Sequence, residues 1–326
     1  MATTLWDTTG SDVVKALLAE RRAAGALASG LALTLVAVVD ERRVQEADQA
    51  ATIAAAAHPC RLVMVVRHSI TADSRLDAEV QIGGRLGSTE AIVMRMHGRL
   101  GLHAESVVLP LLAPDAPVVT WWHGAPPDEI ATDALGVLAN RRVTDSALAP
   151  DPLASLNRRA SDFVPGDTDL AWTRCTPWRS LLASAMDGVE GDPVSASVSA
   201  EAANPSAVLL AGWLTSRLGV TTSSDTSGGP GITAAEIVMR RSDGSEFVIG
   251  IDRPDGASAT LRRGGEEPRV LPLPRRELGD LLAEELRRMD PDPVYAEALT
   301  RYTDIPIDST PRSRVLLWRD PALTDP

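Results

Sequence analysis

The sequence predicts an α/β protein in two parts. An N-terminal domain over 1–165 carries a mixed sheet flanked by helices, and a C-terminal α+β domain over 166–326 carries an antiparallel meander. Three observations lead there. Residues 31–39 (LALTLVAVV) and 61–67 (RLVMVVR) are unbroken apolar runs, the pattern of strands buried on both faces of a sheet, and an alanine-rich helical stretch joins them. Leu76, Ala78, Val80 and Ile82 alternate with Asp77, Glu79 and Gln81, which is the period of a strand with one wet face. Finally, residues 235–240, 246–251 and 258–262 read as three short strands, separated by turns at Asp243-Gly244 and Asp255-Gly256.

Each element has a local cause. Residues 12–24 place Val13, Val14, Leu17 and Leu18 at helical spacing, with Ser11 or Asp12 as cap and Gly25 as stop. A helix over 41–57 ends before Pro59, so strand, helix and strand form a parallel crossover. The segment 83–89, with three glycines, turns the wet strand into a partner at 91–96 and makes the sheet mixed. A helical turn at 106–112, interrupted at Pro110, delivers the chain into 118–122 (VVTWW). That run is β-branched and aromatic, carries no charge, and is bounded by turn chemistry on both sides. It reads as a central strand with one tryptophan under each helical layer. A short helix at 133–140, a strand at 142–145 and a proline-initiated helix at 151–161 follow. Past Pro165-Gly166-Asp167, Asn204 caps a helix opened by Pro205, striped by Leu210, Trp213, Leu214 and Leu218, and ended by Gly219. Residues 222–231 (TSSDTSGGPG) read as a loop. Residues 275–289 read as an amphipathic closing helix with a Glu284–Arg288 pair on its wet side.

Composition excludes several classes. With 44% hydrophobic and 23% charged residues the 326-residue chain is ordinary globular material, long enough for two domains. No run approaches the roughly 20 apolar residues of a membrane span. The first residues lack the basic-then-apolar pattern of a secretion signal, and two cysteines fit a reducing compartment, so a cytoplasmic protein is expected. A net charge of −12 and a pI of about 4.9 argue against non-specific nucleic-acid binding. Lys15 is the only lysine among 32 basic residues, and eight Arg-Arg pairs occur, including Arg141-Arg142, Arg158-Arg159 and Arg275-Arg276. Arginine grips carboxylate and phosphate in a forked geometry.

Two places offer binding chemistry. In open α/β sheets partners meet the carboxyl ends of the strands, here Trp122 and His123, although both tryptophans of that strand also fit plain core positions. In 169–184 (DLAWTRCTPWRSLLAS), Thr176-Pro177 starts a helix that Gly188 stops, which brings Arg174, Cys175 and Arg179 to its positive end. Arg174, Trp178 and Arg179 are therefore the candidate partner- or anion-binding surface, beside the alternative of a capped core helix with its arginines in water. The same field would lower the pKa of Cys175 if the thiol were exposed, which makes it the candidate redox thiol. His58 and Cys60 have no second pair at metal-site spacing, and His68, His97, His103 and His123 form no HExxH pattern, so no metal is expected. Residues 229–234 spell GxGxxA without a strand before and a helix after, so no dinucleotide cofactor is expected. No spacing singles out catalytic residues.

Six strings in order, LALTLVAVV, HPCRLVMVV, EAIVMRMHG, ESVVLPLLAPDAPVVTWW, DLAWTRCTPWRSLLA and AGWLTSRLG, resemble the glucose-6-phosphate dehydrogenase assembly protein family OpcA in its actinobacterial form. The resemblance runs from about 31 to about 289 and rests on number and order, since no single string is a catalytic signature. It implies a non-enzymatic cytoplasmic partner and allosteric activator that promotes the active oligomer of glucose-6-phosphate dehydrogenase, feeding NADPH production in the oxidative pentose phosphate pathway. Photosynthetic members are associated with thiol redox control, which two cysteines far apart in sequence do not carry over to Cys60 or Cys175. The competing reading is a sugar-phosphate sensor, or an enzyme, with an anion site at the helix starting near Thr176.

Overall fold

The computed structural model describes residues 2–25, 30–83, 90–226, 228–307 and 315–316. Most of the turn expected at 83–89, and most of the tail beyond Asp304, lie outside them. The chain divides into two compact units, one formed by 1–145, 277–291 and 311–326, the other by 146–276 and 292–310. In this contact-based division the first break follows Asp145, and the closing helix belongs to the first unit.

The first unit begins with β1 (Ala2–Leu5) and α1 (Gly10–Ala24). The cap of α1 is Thr9, whose hydroxyl accepts the Asp12 N–H at 3.3 Å, so the helix starts ahead of the expected Ser11 or Asp12. It then runs through β2 (Leu33–Val39), α2 (Val44–Ala57), β3 (Cys60–Arg67), β4 (Arg75–Ile82), β5 (Glu90–His97), α3 (Ala104–Val108), β6 (Val118–His123), α4 (Ala134–Val137) and β7 (Arg141–Thr144). The strand order β1-β4-β5-β3-β2-β6-β7 is mixed. β2 lies parallel to both β3 and β6, with Val36 facing Val63 and Thr120, while β4 runs antiparallel to β5 and β1. Every residue of β2 and β6 is buried, as the unbroken apolar runs imply. Val36, Val38, Val63 and Val65 join Val13 and Leu17 of α1 in one core layer, and alternation turns Leu35, Ala37, Leu62 and Met64 to the opposite face. The expected wet face of β4 is not fully wet: Asp77 is buried, its carboxylate taking the Asp7 N–H at 3.0 Å and Arg75 at 2.8 Å.

The second unit holds α5 (Pro152–Ser161), β8 (Asp167–Asp169), α6 (Leu170–Thr173), α7 (Thr176–Met186), β9 (Asp192–Ala200), α8 (Pro205–Leu218), β10 (Thr222–Asp225), β11 (Ile232–Arg240), β12 (Glu246–Asp252), β13 (Ser258–Arg263) and β14 (Arg269–Pro272). After α9 (Leu278–Leu286), which packs on α2 in the first unit, α10 (Pro293–Thr303) returns to the second. The meander β11-β12-β13-β14 is antiparallel, as its turns predict, but the sheet continues through β9 to β10, which lies parallel to β9. The Ser/Thr run at 222–225, expected as loop, is thus an edge strand. Its hydroxyl-bearing, exposed residues suit a strand with one open edge. Helix α10 was not anticipated either, although Asp292-Pro293 is a sound start signal: the Asp292 carboxylate accepts the N–H groups of Val294 and Tyr295.

Helices α8 and α10 meet at Gly212, where an added Cβ would overlap the carbonyl of Ala298. An alanine in a helix interior normally gains about 1 kcal/mol over glycine. Here overpacking of roughly 1–3 kcal/mol opposes it. Gly212→Ala is expected to lower the urea midpoint of unfolding, and a higher midpoint would show that the two backbones do not approach this closely.

Candidate functional site

Five stretches of the second unit, with Ala147 and Pro152, converge on one cavity of about 360 Å³. Residue Arg174, with Pro177 and Trp178, comes from the start of α7, and 201–206 come from the link between β9 and α8. Gly231 and Ile232 open β11, Arg253 follows β12, and Arg275 and Arg276 follow β14. Asn204, the α8 cap, accepts the Ala207 N–H at 2.9 Å, and Ala203 sits at φ 58, a left-handed conformation unusual for a residue with a Cβ. The lining thus combines the first turns of two helices, both positive ends, with four guanidinium groups.

The charges are unevenly matched. Glu201 is the acidic side chain of the lining, and its carboxylate is already bonded within the cavity wall: one oxygen accepts from Asn204 Nδ2 at 2.7 Å, the other from the N–H of Gly231, just ahead of β11. Arg253 is only 7% exposed. Its guanidinium lies 5.0 Å from the Trp178 ring centre, Nη2 donates to the Ile232 carbonyl at 2.8 Å, and Nη1 reaches the Leu273 carbonyl at 3.4 Å. Its Nε is itself buried and, among the described residues, has no hydrogen-bond partner. Arg275 donates to the Pro230 carbonyl at 2.5 Å. Both guanidinium groups border Gly231, and among the described residues neither forms an ion pair. Burial first, then the charge of Arg275, holds the Arg253 pKa below its ordinary value, with Asp255 opposing.

The expected site residues separate. Arg174 and Trp178 line the cavity, but Trp178 is 2% exposed and serves as its floor, not as a surface anchor. Arg179 is not in the lining: it stacks over Trp172 at 3.6 Å and donates to the Thr176 hydroxyl at 2.9 Å. Trp172 in turn donates to the Asp292 carboxylate at 2.8 Å. Trp122 and His123 belong to β6 of the first unit and are fully enclosed, because β6 lies between β2 and β7 with both faces covered. His123 Nε2 lies 2.9 Å from Glu46 Oε2, close enough for an ion pair but without hydrogen-bond geometry. Sequence reasoning did not single out Arg253 or Glu201. Arg275 and Arg276 were visible only as one of eight arginine pairs.

Cys175 is a correction. It is the residue before α7, but its thiol is fully buried and donates to the carbonyls of Ala171 and Ser206 at 3.3 and 3.1 Å. Desolvation outweighs the neighbouring Arg179 and Arg174 charges and pushes its pKa up to about 12, and burial does the same for Cys60. An activated redox thiol needs the opposite shift and an open approach. Among the described residues, no three His, Cys, Asp or Glu side chains converge as metal ligands, and no helix is long and apolar enough to cross a membrane. With Ellman's reagent at about pH 8, where an ordinary exposed thiol reacts readily, neither cysteine is expected to react in the native chain, and both are expected to react after guanidinium unfolding. Prompt labelling of one native thiol would contradict this burial.

Residues 51–161 match the family profile described as glucose-6-phosphate dehydrogenase subunit N-terminal domain, and residues 165–299 match the corresponding C-terminal domain. A curated relative, the putative OxPP cycle protein OpcA of Synechocystis sp. (strain ATCC 27184 / PCC 6803 / Kazusa), is 27% identical over 183 residues, which is 50% of this chain and 38% of the relative. The match therefore spans well under half of that relative's length. Among solved structures, the 3-ketoreductase KijD10 from Actinomadura kijaniata with NADP and TDP-benzene aligns over 84% of this chain and 95% of its own, at 9% identity and a TM-score of 0.40. Biliverdin reductase from Synechocystis sp. PCC 6803 aligns over 83% and 96%, at 11% identity and a TM-score of 0.35. Likenesses this loose carry no chemistry across. The two family domains, matched in order along most of the sequence, are specific: the chain belongs to the OpcA family of glucose-6-phosphate dehydrogenase assembly proteins.

Proposed function

We propose that this chain is a cytoplasmic, non-catalytic partner of glucose-6-phosphate dehydrogenase that binds the dehydrogenase, favours its active oligomer and so supports NADPH production. The observation that carries this reading is the ordered match to both domains of the dehydrogenase-subunit family. The chemistry of the arginine cavity agrees with it. Guanidinium groups and a carboxylate held by Asn204 and Gly231 are equipment for binding, and the nearby Cys175 thiol is buried with its pKa raised. A binding partner raises activity only by preferring one state of the enzyme. It shifts the equilibrium by its difference in affinity for the two states, typically 1–3 kcal/mol or about 5- to 150-fold.

The half-buried Arg174 and Arg179 are the side chains proposed to meet the partner, with Trp172 stacked beneath Arg179. Arginine is among the residues that dominate interface energetics.

Titrating the full chain into the dehydrogenase of the same organism is expected to give a saturable rise in kcat/KM and co-elution of the two proteins on a sizing column. Neither effect appearing would overturn the reading. Within it, Arg174→Ala with Arg179→Ala is expected to raise the half-saturating concentration by about tenfold or more, in the range of interface arginines. An unchanged titration would remove both from the contact surface.

A further inference from the structure

We propose that the arginine cavity of the second unit is a binding site for the phosphate group of a small phosphate monoester. The argument begins with Arg253. A guanidinium 93% removed from solvent and without a carboxylate partner is costly, because desolvating an ion takes several kcal/mol that its neighbours must return. Two backbone carbonyls and the Trp178 ring return part of it. The Nε donor remains unmatched, and Arg275 adds a like charge beside the same glycine, Gly231. Surface arginines with free choice would turn towards acids, which this chain has in excess. A cavity that sets Arg253 beside Arg275, with its lining carboxylate Glu201 already bonded to Asn204 and Gly231, suits an anion that arrives from outside.

The lining narrows the class. Arg174, Arg253, Arg275 and Arg276 offer planar, forked donors that match phosphate oxygens in pairs. The first turns of α7 and α8 add two positive helix ends, the usual companions of bound phosphate. A phosphate monoester carries about −1.5 to −2 charges near neutral pH and so offsets the cluster more fully than one carboxylate. The volume, about 360 Å³, falls within the roughly 300–1,000 Å³ of small-molecule sites, leaving room for an organic body beyond the phosphate. Gly231, which borders both guanidinium groups, sits at φ 76, a backbone conformation that favours glycine.

The test is isothermal titration of the full chain in chloride buffer with three probes: glucose 6-phosphate, inorganic phosphate and glucose. One saturable site is expected for the ester, weaker binding for inorganic phosphate, and none for glucose. Arg253→Gln and the double variant Arg174→Ala/Arg275→Ala are each expected to weaken ester binding at least tenfold. Circular dichroism checks that each variant is folded. If the buried Arg253→Gln does not fold, the double variant decides, since its side chains are only half-buried or exposed. Absence of saturable binding to either phosphate probe would overturn the proposal, as would undiminished affinity in the double variant. Equal affinity for ester and inorganic phosphate would overturn the ester assignment. Because the probes are titrated into the chain alone, failure here leaves the dehydrogenase pairing, read by co-elution, standing.

Discussion

Arg141 and Glu285 form the ion pair on which the chain's path depends. Both are buried, 144 residues apart, with Arg141 Nε 2.9 Å from Glu285 Oε2 and Arg141 Nη1 3.0 Å from the Asp290 carbonyl. A buried pair adds little net stability over an apolar contact, yet breaking it strands a charge at a cost of about 3–5 kcal/mol. Its effect is therefore on arrangement: it ties α9 to β7 and keeps 277–291 in the first unit. The second unit consequently ends one stretch at Arg276 and begins its last at Asp292. Those two ends carry site chemistry. Arg275 and Arg276 are the last residues before the chain leaves, and Asp292, the first after it returns, caps α10 and takes the Trp172 indole N–H.

Two buried arginines, Arg61 and Arg253, are compensated differently, whereas Arg159 of the second unit lies 3.3 Å from Asp162. In the first unit, Arg61 is 3% exposed and reaches Glu90 Oε2 at 2.6 Å, Arg21 takes the other oxygen at 3.0 Å, and Arg61 Nη1 donates to the Leu111 carbonyl at 2.6 Å. Charge is met by opposite charge inside the fold. Arg253 in the second unit is about as buried, but among the described residues its guanidinium is met by two carbonyl oxygens and an aromatic face and forms no ion pair. Dipoles compensate an ion less completely than a carboxylate does, so the charge of Arg253 is less fully met than that of Arg61. Low local dielectric and enclosure shield such a charge from salt better than an open surface would.

Much of the fold was legible because its signals are local. Apolar runs marked β2, β3 and β6, alternation marked β4, and Asn204-Pro205 with Gly219 bounded α8 as written. The site was half legible for the same reason. Thr176-Pro177 located the start of α7, and with it Arg174 and Trp178, because helix ends are written in neighbouring residues. Arg253 stands alone in the sequence, and its importance comes from Trp178, Gly231 and Arg275, which only the tertiary fold brings to it. Exposure was the other blind spot. A helix N-terminus predicts an activated Cys175, but α8 supplies the Ser206 carbonyl that encloses the thiol, and no local pattern announces that.

The tryptophans show how burial changes a functional argument without removing it. As exposed anchors, Trp122 and Trp178 would supply the apolar centre of an interface. Enclosed, they do something else. Trp178 is a rigid plane beneath Arg253, and Trp172, held by Asp292 at its indole nitrogen, is a rigid plane beneath Arg179. An arginine stacked on a fixed ring loses less freedom when it binds, since fewer side-chain torsions remain to be ordered. The aromatic residues in this part of the molecule thus act through the arginines they orient. That division of labour sets apolar planes inside and guanidinium groups at the boundary, on a chain whose overall charge is negative.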